Sequence, residues 1–380
     1  MSNYGTLESS RTRRTLTFSA RLVQNLEVDG PLLIGLCLAG TVGIVVLYSA
    51  SGRNFDVLQQ QGMRFILALI AMCALARVSP RVIRTATPWV YLTGLALLVV
   101  VMLTGDIAMG AQRWLDLGVL RFQPSEIMKL AVPLAAAWYL HERPLPPSFL
   151  ALIVVSIIIL LPTIIIAEQP DLGTALLVAA AGGVVVFMAG MRLRYLFGAV
   201  ALLVPTAYIA WTFLLREYQR QRVLTFIDPQ NDPLGSGYHI IQSQIAIGSG
   251  GVFGKGYLRG SQAQLEFLPE RSTDFVFAVI GEEWGLIGLT SILLLYMFII
   301  GRALYLAATS QDTFARLGAG SLAVTFCVYV FVNTGMVTGL LPVVGVPLPL
   351  ISFGGTSMVT LMAGFGILMA LSTRRKLVSG

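Results

Sequence analysis

The sequence predicts an all-α, polytopic membrane protein of about ten transmembrane helices with one large extracytoplasmic loop. Three observations predict it. Hydrophobic residues make up 56% of the chain and charged residues only 12%, against the roughly 25% charged residues of a soluble domain. The apolar residues fall into ten runs, each near the ~20 residues that span a bilayer. The arginines of the short connecting loops are more numerous on one side than on the other. The mean hydropathy of +0.78 agrees. The net charge of +7 is placed in short basic loops, so it calls for no nucleic-acid partner.

The ten segments are 31–50, 63–76, 87–104, 126–140, 149–167, 174–190, 195–215, 275–306, 317–340 and 356–372. The second and fourth are short. The eighth is long, so its first turns are expected at the interface or beyond a kink. With the N-terminus inside, the inner loops hold Arg77, Arg81, Arg84, Arg143, Arg192, Arg194, Arg302, Arg316 and Arg374. The short outer loops hold Arg53, Arg64, Arg113 and Arg121, and the long outer loop, which weighs little in this count, holds Arg216, Arg220, Arg222, Lys255, Arg259 and Arg271. Both termini are therefore expected in the cytoplasm, as a tail over 1–30 and a short tail over 373–380. No apolar stretch that would serve as a signal peptide precedes the first span. Cys37, Cys73 and Cys327 lie inside spans and read as small packing residues.

One insertion interrupts the membrane domain of 31–372, the outer loop at 216–273. Its length favours a functional role. Asp228-Pro229 and Asp232-Pro233 are turn signals. Tyr238 to Ile247 is amphipathic and is expected as a short helix on the membrane. Gly248, Gly250, Gly251, Gly254 and Gly256 follow, with Lys255 among them. This run either cradles a phosphate with its amides and Lys255 or simply turns the chain onto the membrane surface; it lacks the context of a nucleotide-binding loop.

Carboxylates crowd the end of that loop, in FLPERSTDFVFAVIGEE, beside Arg271. Charge at a membrane boundary is a functional candidate by default. Asp274 stands where loop meets helix, within reach of a polar headgroup whose tail stays in lipid. Glu126 and Lys129, three residues apart at the start of the fourth segment, share a helix face and can pair. That pair reads equally as a fold-defining ion pair or as part of a site. Arg113 could meet an anionic headgroup, and Trp114 is placed as an interfacial anchor. Asp171 either caps the sixth helix, the reading its residue type favours, or lines a polar cavity. Pro342, Pro347, Pro349, Gly354 and Gly355 interrupt the chain between segments nine and ten. Irregular backbone at that depth must lie against protein or a polar cavity. The stretch is expected to wall a site, with Ser352, Thr356 and Ser357 as its hydroxyls.

The motifs GAQRWLDLG, FQPSEIMKLA, EQPDLGTAL, GSGYHIIQSQIAIGSGGVFGKG, FLPERSTDFVFAVIGEE and GVPLPLISFGGTS stand in this order. Together they resemble the SEDS (shape, elongation, division and sporulation) family, and its RodA branch in particular. Ser272 and Phe353 depart from the histidine and tyrosine common there. The resemblance implies a ten-helix peptidoglycan glycosyltransferase of the bacterial cytoplasmic (inner) membrane. It would polymerise lipid II beside a class B penicillin-binding protein and other membrane proteins of the elongation complex. Asp274 falls on the family's catalytic aspartate, and Glu126 and Lys129 on its polar pair.

On that reading Asp274 is the general base for the acceptor hydroxyl. Arg113, Lys129, Lys255 and Arg271 are the cations facing the diphosphate, with a divalent ion (Mg2+ or Mn2+) as a candidate helper. A cavity should open toward lipid near segments four and eight. A lipid II flippase and a non-enzymatic scaffold stay open at this point. A flippase needs polar access from both faces, and a scaffold tolerates loss of Asp274.

Overall fold

The computed structural model describes residues 28–108, 111–116, 121–215, 217–228, 236–265, 267–268 and 270–373. The two tails, the turn at Asp232-Pro233 and Glu266 lie outside the described residues.

Each of the ten apolar segments is a helix. In chain order they are α1 (Gly30–Ala50), α2 (Phe55–Ala76), α3 (Pro80–Thr104), α4 (Pro124–Leu140), α5 (Phe149–Glu168), α6 (Leu172–Met188) and α7 (Leu193–Ile209). The loop adds α8 (Glu217–Ile227), α9 (Ser236–Gly250) and α10 (Ser261–Gln264). The last three segments are α11 (Val276–Ala308), α12 (Thr313–Thr338) and α13 (Gly355–Ser372). Among the described residues seven helices are long and apolar enough to cross a membrane. This makes the chain a multi-pass membrane protein.

Local chemistry sets the helix starts. Asp29, Asn54, Ser79, Ser148 and Asp171 each accept a backbone amide as N-cap, satisfying one of the donors a helix start leaves open. The Asp171 cap, to Thr174 N at 3.2 Å, is the one expected from the sequence. Asp29 also holds Arg302 at 3.0 and 2.7 Å, which ties the start of α1 to the later turns of α11. Segment two begins earlier than its apolar run, because Asp56, Gln59, Gln60 and Gln61 dilute the hydropathy of its first turns. Between α3 and α4 the chain forms a small antiparallel sheet, β1 (Asp106–Ala108), β2 (Ala111–Asp116) and β3 (Arg121–Phe122), ordered β1-β2-β3. Its strands are too short and polar to leave an apolar pattern in the sequence.

The core runs through α4, α12 and the first half of α11. α4 buries residues on nearly every side. A helix so enclosed by protein can be short, which accounts for segment four. Segment eight is kinked as its length suggested. Gly285 takes φ 64°, ψ −159° inside α11. The kink frees the carbonyls of Glu282 and Glu283 and the amides of Leu286 and Ile287, and the glycine run takes them up. Lys255 N and Gly256 N donate to Glu282 O and Glu283 O, both at 3.0 Å. Leu286 N and Ile287 N donate to Gly251 O at 3.0 Å and Val252 O at 3.2 Å. Residues 251–256 thus splice into the broken helix ladder, and these four backbone groups at the kink find partners.

The splice needs two glycines. A Cβ on Gly254 would sit 2.1 Å from Glu283 O, and one on Gly285 would sit 2.4 Å from Gly254 N. Backbone on both sides cannot yield. Gly254→Ala or Gly285→Ala is expected to destabilise the protein by about 2–4 kcal/mol through overpacking and strained φ. Gly183→Ala on α6, where the added Cβ meets nothing within 4 Å, should leave the thermal midpoint unchanged or slightly raised. Thermal unfolding of the purified protein checks both.

Candidate active site

Asp274 sits in the turn that leads into α11. Thr273 N and Phe275 N both donate to Glu270 O, at 3.1 and 3.2 Å. Asn333, on α12, donates from Nδ2 to Asp274 O at 2.9 Å and to Val346 O at 2.7 Å. Ser352 donates its hydroxyl to Thr273 O and accepts Leu348 N at 2.8 Å. Phe353 N donates to Ser272 O at 2.8 Å. The turn is therefore clamped by α12 and by the proline-rich stretch between α12 and α13. That stretch lies against protein, with Val346, Leu348, Leu350, Ile351 and Ser352 all buried. Tyr296 of α11 reaches it from below, donating to Pro349 O at 2.6 Å.

The Asp274 carboxylate faces Gly345, where a Cβ would lie 3.5 Å from Oδ2. Burial, and then the neighbouring Glu270 charge, push its pKa up to about 6, against the lowering effect of Arg222. It is mostly ionised at neutral pH yet basic enough to take a proton. His239 of α9 stacks on Phe275 with ring centroids 5.6 Å apart. Burial lowers its pKa against the pull of Glu270, so it is neutral there at pH 7.

The sequence-predicted pair is formed. Lys129 Nζ lies 2.7 Å from Glu126 Oε1, and both residues are buried. Lys129 also lies 5.5 Å from the ring centre of Tyr329, one turn of α12 away from Asn333. α12 thereby connects the Glu126–Lys129 pair to the Asp274 turn. Glu126 Oε2 is buried without a partner, beside a cavity of about 20 Å³ walled by Glu126, Lys129 and Tyr329, room for a water molecule.

The remaining candidate cations each have partners within the protein. Arg113 donates to Pro170 O and lies 3.8 Å from Asp171, which also accepts from Gln123 at 3.1 Å. Lys255 pairs with Glu282 at 2.7 Å and donates to Ser261 at 3.0 Å. Arg271 donates to Ala263 O. Their polar contacts build the fold around the site, and the glycine run spends the amides of Lys255 and Gly256 on α11.

Among the described residues no three His, Cys, Asp or Glu side chains group to hold a metal. Mg2+ favours octahedral oxygen coordination, so any such ion would depend on oxygens of the substrate. A cavity was expected near segments four and eight; the apolar cavity borders segment four but not segment eight. A cavity of about 330 Å³ is walled by α2, α3, α4 and α13, among them Leu75, Ile83, Leu134 and Ile367. The start of α11 is instead packed against α9. Sequence reasoning missed Asn333 and His239. A lone asparagine in the apolar run of α12 was the available signal for the first.

Fold and site define a polytopic membrane protein with a polar, carboxylate-bearing centre at the end of its helix bundle. The chain belongs to the FtsW/RodA/SpoVE family of cell cycle proteins, whose match covers residues 31–377. It is 49% identical over 354 residues to the peptidoglycan glycosyltransferase MrdB of Escherichia coli (strain K12), covering 93% of this chain and 96% of that one. It is 35% identical over 375 residues to a probable peptidoglycan glycosyltransferase FtsW of Geobacter metallireducens, covering 95% and 99%. Among solved structures it is similar to a chain of a peptidoglycan synthase complex that coordinates polymerization and crosslinking, with TM-score 0.78, 36% identity and 90% and 97% coverage. The crystal structure of the rod shape determining protein RodA of Thermus thermophilus is similar with TM-score 0.69, 30% identity and 90% and 96% coverage.

Proposed function

We infer that this chain is a peptidoglycan glycosyltransferase, polymerising lipid II into glycan strands during cell elongation and maintenance of rod shape. The observation that carries the reading is the Asp274 turn: a carboxylate of raised pKa on a turn whose backbone is clamped by α12 and the proline-rich stretch, in a chain 49% identical to a named peptidoglycan glycosyltransferase. The sugar 4-OH of lipid II attacks the anomeric carbon of the lipid-linked growing strand. The bond from that carbon to the diphosphate oxygen breaks, and undecaprenyl diphosphate leaves with the electron pair. Asp274 takes the hydroxyl proton as general base. Direct displacement inverts the anomeric centre and needs no covalent sugar–enzyme intermediate.

The arginine and lysine distribution supports ten crossings of the bacterial cytoplasmic membrane, both termini inside and Asp274 outside. The likeness to a synthase complex that couples polymerization to crosslinking supports a class B penicillin-binding protein as partner, within a larger set of elongation proteins.

The test is polymerisation of lipid II by the purified protein, alone and with its transpeptidase partner, across pH. Glycan strands should form. With a base of pKa about 6, the rate should be flat above pH 7 and fall about tenfold per unit well below pH 6, as the carboxylate protonates. No strands with the partner present, or a rate independent of pH between 5 and 7, would overturn the enzymatic reading and the base assignment respectively.

A further inference from the structure

We propose that Arg64, Gln61 and the N-terminus of α13 form a binding site for the diphosphate and adjoining sugar of a glycolipid. The identity of the ligand rests on the glycosyltransferase reading; the existence of an anion site does not.

Arg64 lies inside α2, about 14 Å along the axis from Phe55 at the helical rise. An arginine at such depth is unfavourable without a partner. Among the described residues it makes no ion pair. Its guanidinium lies over the Phe353 ring, 4.5 Å from the centre, and a Cβ on Gly355 would stand 3.7 Å from its Cζ. Gly355 opens α13, and its N-cap Gly354 supplies no side-chain hydrogen bond. Two positive groups therefore face each other: a guanidinium, and the uncapped amides at the positive end of an 18-residue helix. An anion between them resolves the conflict.

Gln61 gives the second, independent sign. It lies one turn before Arg64 on the same face and is 1% exposed. Its Nε2 donates to Ser352 O at 3.1 Å, which places the amide beside the α13 start. Its Oε1 is buried without a partner. A buried acceptor without a donor is unfavourable, and an ionised diphosphate has no proton to give it. A sugar hydroxyl or acetamido N–H next to the diphosphate does.

The location suits the reaction. Ser352 and Phe353 bond directly to Thr273 and Ser272, so the anion site and Asp274 flank one strut. Followed inward, α2 and α13 wall the apolar cavity of about 330 Å³, a place for part of a lipid tail. Arg113, Lys129 and Lys255 meet carboxylates of the protein, and Arg64 does not.

The experiment measures binding of undecaprenyl diphosphate, inorganic pyrophosphate and undecaprenol to the full-length protein in lipid nanodiscs. Undecaprenyl diphosphate should bind most tightly, pyrophosphate should compete weakly, and undecaprenol should not compete. Arg64→Gln should weaken the lipid diphosphate about 10- to 100-fold, the scale of charge-assisted hydrogen bonds, and Arg64→Lys should weaken it less. Ser357→Asp places a carboxylate at the same helix start. It should raise the thermal midpoint while weakening binding about tenfold, and it carries the test if Arg64→Gln does not fold. Gln61→Met should weaken lipid II more than undecaprenyl diphosphate.

Unchanged lipid diphosphate binding in Ser357→Asp and in folded Arg64→Gln overturns the site, as does undecaprenol competing as well as the diphosphate. Asp274→Asn should bind normally. Binding through Arg64 in a wild-type protein that never polymerises would leave this site standing and remove the glycosyltransferase reading; polymerisation with both variants binding normally does the reverse.

Discussion

Asp274→Asn is expected to abolish glycan polymerisation while leaving the protein folded, with a rate loss of about 10²- to 10⁴-fold, the range for removal of a general base. The amide keeps the shape of the side chain and loses the proton acceptor. The turn around it should hold, because its clamps use backbone oxygens: Asn333 bonds to Asp274 O and Ser352 to Thr273 O. The charge itself does not stabilise the fold. Burial raises the carboxyl pKa from 3.8 to about 6, so the folded state favours the protonated form. Any stability from this group is full below pH 3.8 and is lost as pH rises through 6. At pH 7.5 the neutral amide should leave the thermal midpoint unchanged or higher. Paired measurements of polymerisation and thermal unfolding decide the matter. A variant that retains a tenth of the wild-type rate removes Asp274 as the base, and one that loses its cooperative transition makes the residue structural.

The helices were legible in the sequence because a bilayer leaves few choices. Apolar runs near the spanning length must be helices, and all ten appear. Capping at Asp171 was equally local, since a carboxylate two residues before Gly173 reaches the Thr174 amide whatever the rest of the chain does. The glycine run was not legible in the same way. Gly254 and Gly285 matter because each backbone lies against the other, and no local pattern in the sequence shows that residues so far apart meet. A polar, glycine-rich segment resembles an open phosphate loop until its amides are found spliced into α11. The cations behaved likewise. Charge is visible in a sequence, but its partner is not, so Lys255 and Arg113 looked available until Glu282 and Asp171 were seen beside them. Arg64, counted at first only as an outer-loop charge, proved to be the arginine turned toward a helix start.

The pair on α4 should show strong energetic coupling. Glu126 and Lys129 are buried and 2.7 Å apart, so removing one partner strands the other charge among apolar side chains. Glu126→Gln and Lys129→Met should each cost about 3–5 kcal/mol. Removing both, as Glu126→Leu with Lys129→Met, should recover most of that loss, because a buried ion pair seldom outperforms an apolar pair of similar volume. The double-mutant cycle should therefore give a coupling well above the ~0.5 kcal/mol expected of independent sites. Activity should not return with stability. One oxygen of Glu126 is buried without a partner beside a small cavity that it shares with Lys129 and Tyr329, and Tyr329 and Asn333 on α12 connect that place to the Asp274 turn. A pair kept only for the fold would have no reason to hold an oxygen unsatisfied. The double variant is thus expected to unfold near the wild-type temperature and to make little or no glycan. Full polymerisation by a stable double variant would reduce the pair to scaffolding, and additive single losses would mean that water reaches both charges.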